Sequence, residues 1–239
     1  MTPRFFIDPA SATLAPHVEL PLPDAVCRHA VQVLRLRDGD AVTLFDGCGG
    51  EYPGTLIVRG RTAAAAVGAH VGVERESRHA VTLVQAIVAP DMMDWIVRKA
   101  VELGAAAIQP VLAERSQRGP AERLERRGER WRQIAIAACE QCGRNRIPTV
   151  EAPLALTDWM HACGSLEAVA VLEPDASVSL ASVAPRVRTV LIGPEGGLTP
   201  AEIAACNAAH ARSAHLGARV LRADTAAVAA LATLNAALG

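Results

Sequence analysis

Leu191-Ile192-Gly193-Pro194-Glu195-Gly196-Gly197-Leu198-Thr199-Pro200 joins an apolar run to a turn rich in glycine and proline, and then to a helix start. The run from Val187 to Ile192 reads as a strand. Thr199 suits the N-cap, Pro200 the first helical position, and Glu202 the carboxylate of a capping box. A strand thus delivers a glycine-rich loop to a helix N-terminus, a geometry that lets bare backbone approach a ligand closely. A second loop of this kind follows: Leu216-Gly217-Ala218-Arg219-Val220-Leu221-Arg222-Ala223-Asp224-Thr225. Two backbone-rich loops after two strands imply one ligand held between them.

Working outward, the region from residue 74 onward alternates strand and helix. Val81 to Ala89 is a continuous apolar run, as in a strand covered on both faces. Asp91 is placed to cap a helix reaching Leu103, with Gly104 as the stop. Further strands are expected at Ala106–Leu112, Ala168–Leu172, Val187–Ile192 and Ser213–Leu216. Helices are expected at Pro200–Ala209 and Thr225–Leu238, the latter capped by Thr225. This alternation predicts an α/β domain with a mostly parallel sheet. Residues 1–73 read differently: short strands at Val42–Phe45, Tyr52–Val58 and Ala63–Val73, separated by glycine turns, predict a small β-barrel. A helix is expected between Pro23 and Leu36. The charge cluster Glu74-Arg75-Glu76-Ser77-Arg78 reads as a linker, so two domains are expected, 1–73 and 74–239.

Composition narrows the function classes. The chain has 239 residues, 51% of them hydrophobic, which is ample for a packed core. The alanine-rich stretch Ala226–Leu238 is too short and small-sided to span a membrane, and Met1–Phe6 leads to Asp8 and Pro9 rather than to a secretory core. A cytoplasmic protein is therefore expected. Net charge is −1, which points neither toward nor away from nucleic acid. The local distribution is more telling: nine arginines against five glutamates lie between Glu114 and Arg146. Aromatics make up 3%, too few for extensive base stacking on rings, although arginine planes can substitute. The six cysteines and seven histidines form no ligand-spaced cluster, and Cys139-Glu-Gln-Cys142 lies within a helical pattern, so no metal is expected. The motifs His-Glu-x-x-His, Gly-x-Ser-x-Gly and Gly-x-x-x-x-Gly-Lys-Ser/Thr are absent.

A long helix from Glu122 to about Arg144 places Leu124, Gly128, Trp131, Ala135, Ala138 and Cys142 within roughly 40° of one line. Its end carries Glu140, Gln141, Arg144, Asn145 and Arg146 just before Pro148. Such crowding suits an RNA-facing or subunit-facing surface as well as a solvated one.

These pieces occur in a telling order. Arg4-Phe5-Phe6 is followed by His29-Ala-Val-Gln-Val-Leu-Arg35, Leu44-Phe45-Asp46-Gly47, Lys99-Ala-Val-Glu102-Leu103-Gly104 and Glu114-Arg115-Ser116. Then come Trp131-x-x-Ile134, Glu140-Gln141-Cys142-Gly143-Arg144, Gly193-Pro-Glu-Gly-Gly197 and Leu216-Gly217-x-Arg219-Val220-Leu221-Arg222. In that order, over nearly the whole chain, the sequence resembles the bacterial ribosomal RNA small-subunit methyltransferase E family, which belongs to the knotted SPOUT methyltransferases. The family usually continues its last Leu-Arg with Thr-Glu-Thr, whereas this chain has Ala223-Asp224-Thr225.

The resemblance implies an N-terminal PUA-like barrel for RNA binding and a C-terminal α/β trefoil knot that binds S-adenosylmethionine. It implies methylation of uracil N3 in 16S ribosomal RNA, with the assembled small subunit as substrate, by a homodimer. Under it, Leu172, Glu173, Ile192, Gly193, Pro194, Gly196, Leu216, Gly217, Val220, Leu221, Arg222 and Thr225 are expected around the cofactor. Arg222, Glu195, Glu140 and Arg144 are the candidates for the catalytic site, and Arg4, Arg35, Arg37, Arg115 and Arg118 for RNA contact. Two other readings stand beside it: a knotted methyltransferase with another RNA target such as transfer RNA, and a non-catalytic RNA-binding protein.

Overall fold

The computed structural model describes residues 2–117 and 121–238. The chain forms two compact units: Met1–Glu76 together with Cys139–Ile147, and Ser77–Ala138 together with Pro148–Gly239.

The first unit is built on a five-stranded sheet. Its strands are β1 (Arg4–Phe6), β2 (Glu19–Pro21), β3 (Ala41–Phe45), β4 (Tyr52–Arg59) and β5 (Thr62–Val67), in the order β1-β3-β4-β5-β2. Among the described residues only the β1–β3 pairing is parallel. Phe5, Ile7, Leu20, Val42, Leu44, Leu56 and Ala65 are buried together in one core. The small residues of β5 let helix α1 (Asp24–Arg28) pack onto the strand. Two expectations are corrected here. The helix between Pro23 and Leu36 is α-helical only to Arg28; one π turn follows over His29–Val33, in which Leu34 N–H donates to His29 O at 2.9 Å. The strand expected to reach Val73 stops at Val67; Gly68, whose N–H donates to Pro53 O at 2.7 Å, follows it so closely packed that a Cβ would sit 2.6 Å from that oxygen. The division between the units falls inside the charge cluster 74–78, whose first three residues are held within the first unit: Arg144 Nε donates to Glu76 at 3.0 Å, Arg75 Nη1 to Gly143 O at 2.9 Å, and Arg146 Nε to Glu74 at 3.2 Å.

The second unit is a parallel sheet between helices. The strands are β6 (Thr82–Ala86), β7 (Ala107–Leu112), β8 (Thr149–Val150), β9 (Leu154–Ala155), β10 (Val169–Leu172), β11 (Thr189–Ile192) and β12 (Arg212–Ala214). Their order is β12-β10-β11-β6-β7-β8, with β9 also on β7, and the pairings are all parallel among the described residues. The helices are α2 (Pro90–Glu102), α3 (Ala121–Cys142), α4 (Leu156–Cys163), the short α5 (Leu180–Val183), α6 (Pro200–Ala208) and α7 (Ala223–Leu238). The last turn of α3 belongs to the first unit. One core gathers Val84, Val111, Leu156, Trp159, Leu166, Val171, Leu191 and Cys206. Each such aliphatic side chain contributes roughly 1.5–3 kcal/mol on burial. Elsewhere α2 packs on α7, and α7 on β6 and β11. Among the described residues no helix is long and apolar enough to cross a membrane.

The mixed α/β reading holds, and so does the start of α6. Thr199 Oγ1 accepts from Glu202 N–H at 3.2 Å, and Glu202 accepts from Thr199 N–H at 2.8 Å, with Pro200 in the first turn. The α3 stripe is buried at Trp131, Ala135 and Ala138. Two cap assignments change. α2 begins at Pro90 with Ala89 as N-cap, so Asp91 lies in the first turn, where its charge suits the helix dipole. α7 begins at Ala223, so Thr225 lies inside its first turn and does not cap it. The short elements β8, β9 and α4 follow α3 where no element was expected.

Candidate active site

Because β12, β10 and β11 are neighbours in the sheet, the loops leaving their C-terminal ends emerge side by side. In open parallel sheets that end is where ligands bind. Here the three loops surround a cavity of about 300 Å³, in the range of small-molecule sites.

The β11 loop forms one wall. Gly197 N–H donates to Pro194 O at 2.9 Å, closing a turn, and Gly197 takes φ +70. Gly193 tolerates no side chain for a different reason: a Cβ would fall 2.9 Å from Leu198 N, where the loop folds back on itself. The loop is held from outside as well. Glu195 Oε1 accepts from Ala89 N–H, the N-cap of α2, at 3.0 Å, and Arg115 Nη1 donates to Gly196 O at 2.7 Å.

The loop after β12 forms the opposite wall. His215 Nδ1 accepts from Gly217 N–H at 2.9 Å, and Gly217 has φ +112, a backbone state natural to glycine. His215 is also tied by its backbone, accepting from Leu180 N–H and donating to Val178 O, both at 2.9 Å. Val220 is 82% exposed at the tip of this loop. Leu172, Glu173 and Pro174 after β10 complete the enclosure.

Of the residues expected around a cofactor, Leu172, Glu173, Ile192, Gly193, Pro194, Gly196, Leu216, Gly217, Val220 and Leu221 line this cavity, as does Glu195. Arg222 and Thr225 do not line it. Arg222 points outward, 74% exposed, 3.8 Å from Asp224, which is a weak surface pairing. Thr225 is engaged with Asp224, whose Oδ1 accepts from its N–H at 2.7 Å. Sequence reasoning missed Leu198, Ile203, His215, Ala223 and Ala226 in the lining. Ala223 and Ala226 lie three residues apart on α7 and so share one helix face. Ala223, the position that departs from the family's usual threonine, is a wall residue.

The other expected site residues differ in burial and bonding. Arg4 and Arg144 keep only 6% and 5% of their side chains exposed. Arg4 donates to Glu51 at 2.6 Å and to Asn145, and its ring-side face lies over Phe45 with the guanidinium carbon 5.1 Å from the ring centroid. Arg144 pairs with Glu76. Glu51 is lowered: burial opposes this, and hydrogen bonds from Arg75 and Arg4 outweigh it. Glu140 accepts from Phe6 N–H at 2.9 Å, and burial raises its pKa against that bond. These groups brace the first unit. Neither Glu140 nor Arg144 lines the cavity. Arg35 and Arg37 are exposed, and Arg35 has φ 58. Arg118 lies outside the described residues. Cys139 is buried, its thiol pushed up to about 12 chiefly by burial and directed at Arg146 O at 3.6 Å, so it is a packing residue. Lys99 simply pairs with Glu102 at 2.7 Å.

Comparison with known proteins fixes the lineage. Residues 75–235 match the RNA methyltransferase domain family, and residues 22–67 match the RNA methyltransferase PUA domain family. A ribosomal RNA small subunit methyltransferase E from Synechocystis is 34% identical over 224 residues, covering 91% of this chain and 73% of that one. The chain belongs to the ribosomal RNA small subunit methyltransferase E family. Its Bacillus subtilis namesake is 27% identical, covering 97% of this chain and 95% of that one. Two solved structures extend the likeness to three dimensions. The methyltransferase E from Neisseria gonorrhoeae bound to S-adenosylmethionine shares 34% identity with a TM-score of 0.90, covering 99% of this chain and 98% of that one. A Legionella pneumophila protein in complex with the same cofactor shares 32% identity with a TM-score of 0.92, at the same coverage. An RNA methyltransferase domain of mixed α/β fold following a PUA-like domain is thus the architecture of this methyltransferase E family member.

Proposed function

We propose that this protein transfers a methyl group from S-adenosylmethionine to uracil N3 of one uridine in 16S ribosomal RNA. One observation carries the reading: two glycine loops, leaving the parallel strands β11 and β12 on either side of β10, line a single cavity in a methyltransferase E chain. The relatives solved with S-adenosylmethionine support the choice of donor.

The residues fit such a group. Leu172, Ile192, Leu198, Ile203, Leu216 and Leu221 offer apolar walls for an adenine ring, and Glu173 offers a carboxylate for ribose hydroxyls. Gly193 and Gly217 leave room for backbone to meet the nucleoside. When bound, S-adenosylmethionine supplies a methyl group activated by its sulfonium. The protein's task is then alignment, together with stabilisation of the uracil as N3 loses its proton. Arg222, standing outside the cavity wall, is the residue we assign to the uracil oxygen or the target phosphate. Glu195 serves as organiser of the loop, since its carboxylate is spent on Ala89 N–H. Arg35 and Arg37 are the exposed arginines assigned to RNA, and the uridine is splayed from its stack to be read. We further propose a cytoplasmic homodimer acting on the assembled small subunit.

The test is methyl incorporation by the purified protein into small subunits, free ribosomal RNA and transfer RNA, followed by mass mapping of the modified base. One N3-methyluridine in the small-subunit RNA is expected. Methylation of transfer RNA alone would replace the target, and no transfer to any of the three would reject the enzymatic reading.

A further inference from the structure

Arg115 was grouped with the RNA contacts, yet its bonds lead to the glycine loop. Besides the hydrogen bond from Nη1 to Gly196 O at 2.7 Å, its aliphatic stem lies against the same residue. A Cβ on Gly196 would sit 3.3 Å from Arg115 Cδ and 3.5 Å from Arg115 Cβ. The turn closed by Gly197 N–H and Pro194 O uses the Pro194 carbonyl and leaves that of Gly196 pointing outward. Arg115 takes up this carbonyl and so fixes the peptide between Gly196 and Gly197, both of which line the cavity.

Arg115 is itself held in place. Ala113 N–H donates to Ser116 Oγ at 3.0 Å, and Ser116 N–H to Ala113 O at 3.1 Å, which shapes the segment after β7. Glu114 N–H donates to Glu202 Oε1 at 2.7 Å, while Glu202 Oε2 accepts from Thr199 N–H at 2.8 Å. One carboxylate therefore ties the residue before Arg115 to the helix that ends the glycine loop.

We infer that Arg115 is a positioning residue that holds the glycine loop in its donor-binding shape, with Glu202 as its brace; this rests on the cofactor reading proposed above. A Gly-Gly segment has wide conformational freedom, and ordering it on binding would be subtracted from affinity. Arg115 orders it beforehand.

The test is calorimetric titration of S-adenosylmethionine without RNA into the parent, Arg115→Met and Arg115→Ala, with melting temperatures of the unliganded proteins. Arg115→Met keeps the stem and deletes the donors. Its Kd is expected to rise about tenfold, as for loss of one charge-assisted hydrogen bond. Arg115→Ala is expected to rise further, because the stem contact also goes. The melting temperature of unliganded Arg115→Met should stay within about 2 °C of the parent, since this side chain is exposed. Amide exchange at Gly196 and Gly197 should quicken in the unliganded variant. Unchanged Kd in Arg115→Met, with or without weakened RNA binding, overturns the inference while leaving the cofactor reading intact. Failure of the parent to bind S-adenosylmethionine overturns both.

Discussion

Arg222 and Glu140 show how differently two charged residues of one motif set are used. Arg222 is exposed and outside the cavity wall. Arg222→Ala should therefore leave the Kd for S-adenosylmethionine within about twofold while cutting turnover by roughly a hundredfold or more, the size of a lost electrostatic stabiliser. Steady-state methyl transfer paired with calorimetry checks this, and equal losses in both would place Arg222 at the cofactor instead. Glu140 is half-buried, with its pKa raised by desolvation above the ordinary 4.5. A carboxyl raised in the folded state contributes stability that is present below 4.5 and is lost as pH rises through the folded-state value. Glu140→Gln keeps an acceptor for Phe6 N–H and removes that loss. Its unfolding free energy should gain on the parent between pH 4.5 and pH 8, as measured by urea denaturation. A difference independent of pH would contradict the assignment. Neither behaviour was legible in the residue names: the same helix end carries exposed Gln141 and buried Arg144, and only tertiary partners distinguish them.

At the scale of elements, the strand–loop–helix unit from Thr189 to Ala208 was readable in full because its signals are local. The capping box is made by side chains three residues apart, and nothing distant decides it. Thr199→Ala should cost about 1 kcal/mol in denaturant unfolding, and more than a few tenths must be lost if the cap is as described. The π turn at His29–Val33, in which Ala30 is buried, was not readable, since its period differs from that of a helix by one residue at a single site. It leaves Arg35 and Arg37 exposed. Replacing both by alanine should weaken RNA binding across sequences and lower the slope of log K against log salt by about 1–2. A filter-binding salt titration measures it, and an unchanged slope removes this pair from the RNA surface.

For the whole molecule, the division of the chain into a β-rich first part and an α/β second part followed from a change of period near residue 74. The return of Cys139–Ile147 to the first unit did not. The reason is physical. That return is carried by Arg4, Arg75, Arg144 and Arg146, which bond residues up to 141 positions apart, whereas periodicity records only neighbours. Arg144→Ala would strand Glu76 beside a vacated space, at a cost of a few kcal/mol, and the melting temperature should fall by several degrees. The cofactor cavity was legible as two loops with Leu172 and Glu173 as a third wall, but His215 was not, because its ring is placed by the hydrogen bond from Gly217 N–H and not by any sequence pattern. All of this serves one claim, that the two glycine loops grip a single methyl donor. Calorimetric titration of S-adenosylmethionine into the parent and Gly193→Val tests it directly. One donor bound per chain, lost in the variant while its melting transition persists, is the result predicted; no binding by the parent, or equal binding by both, would contradict it.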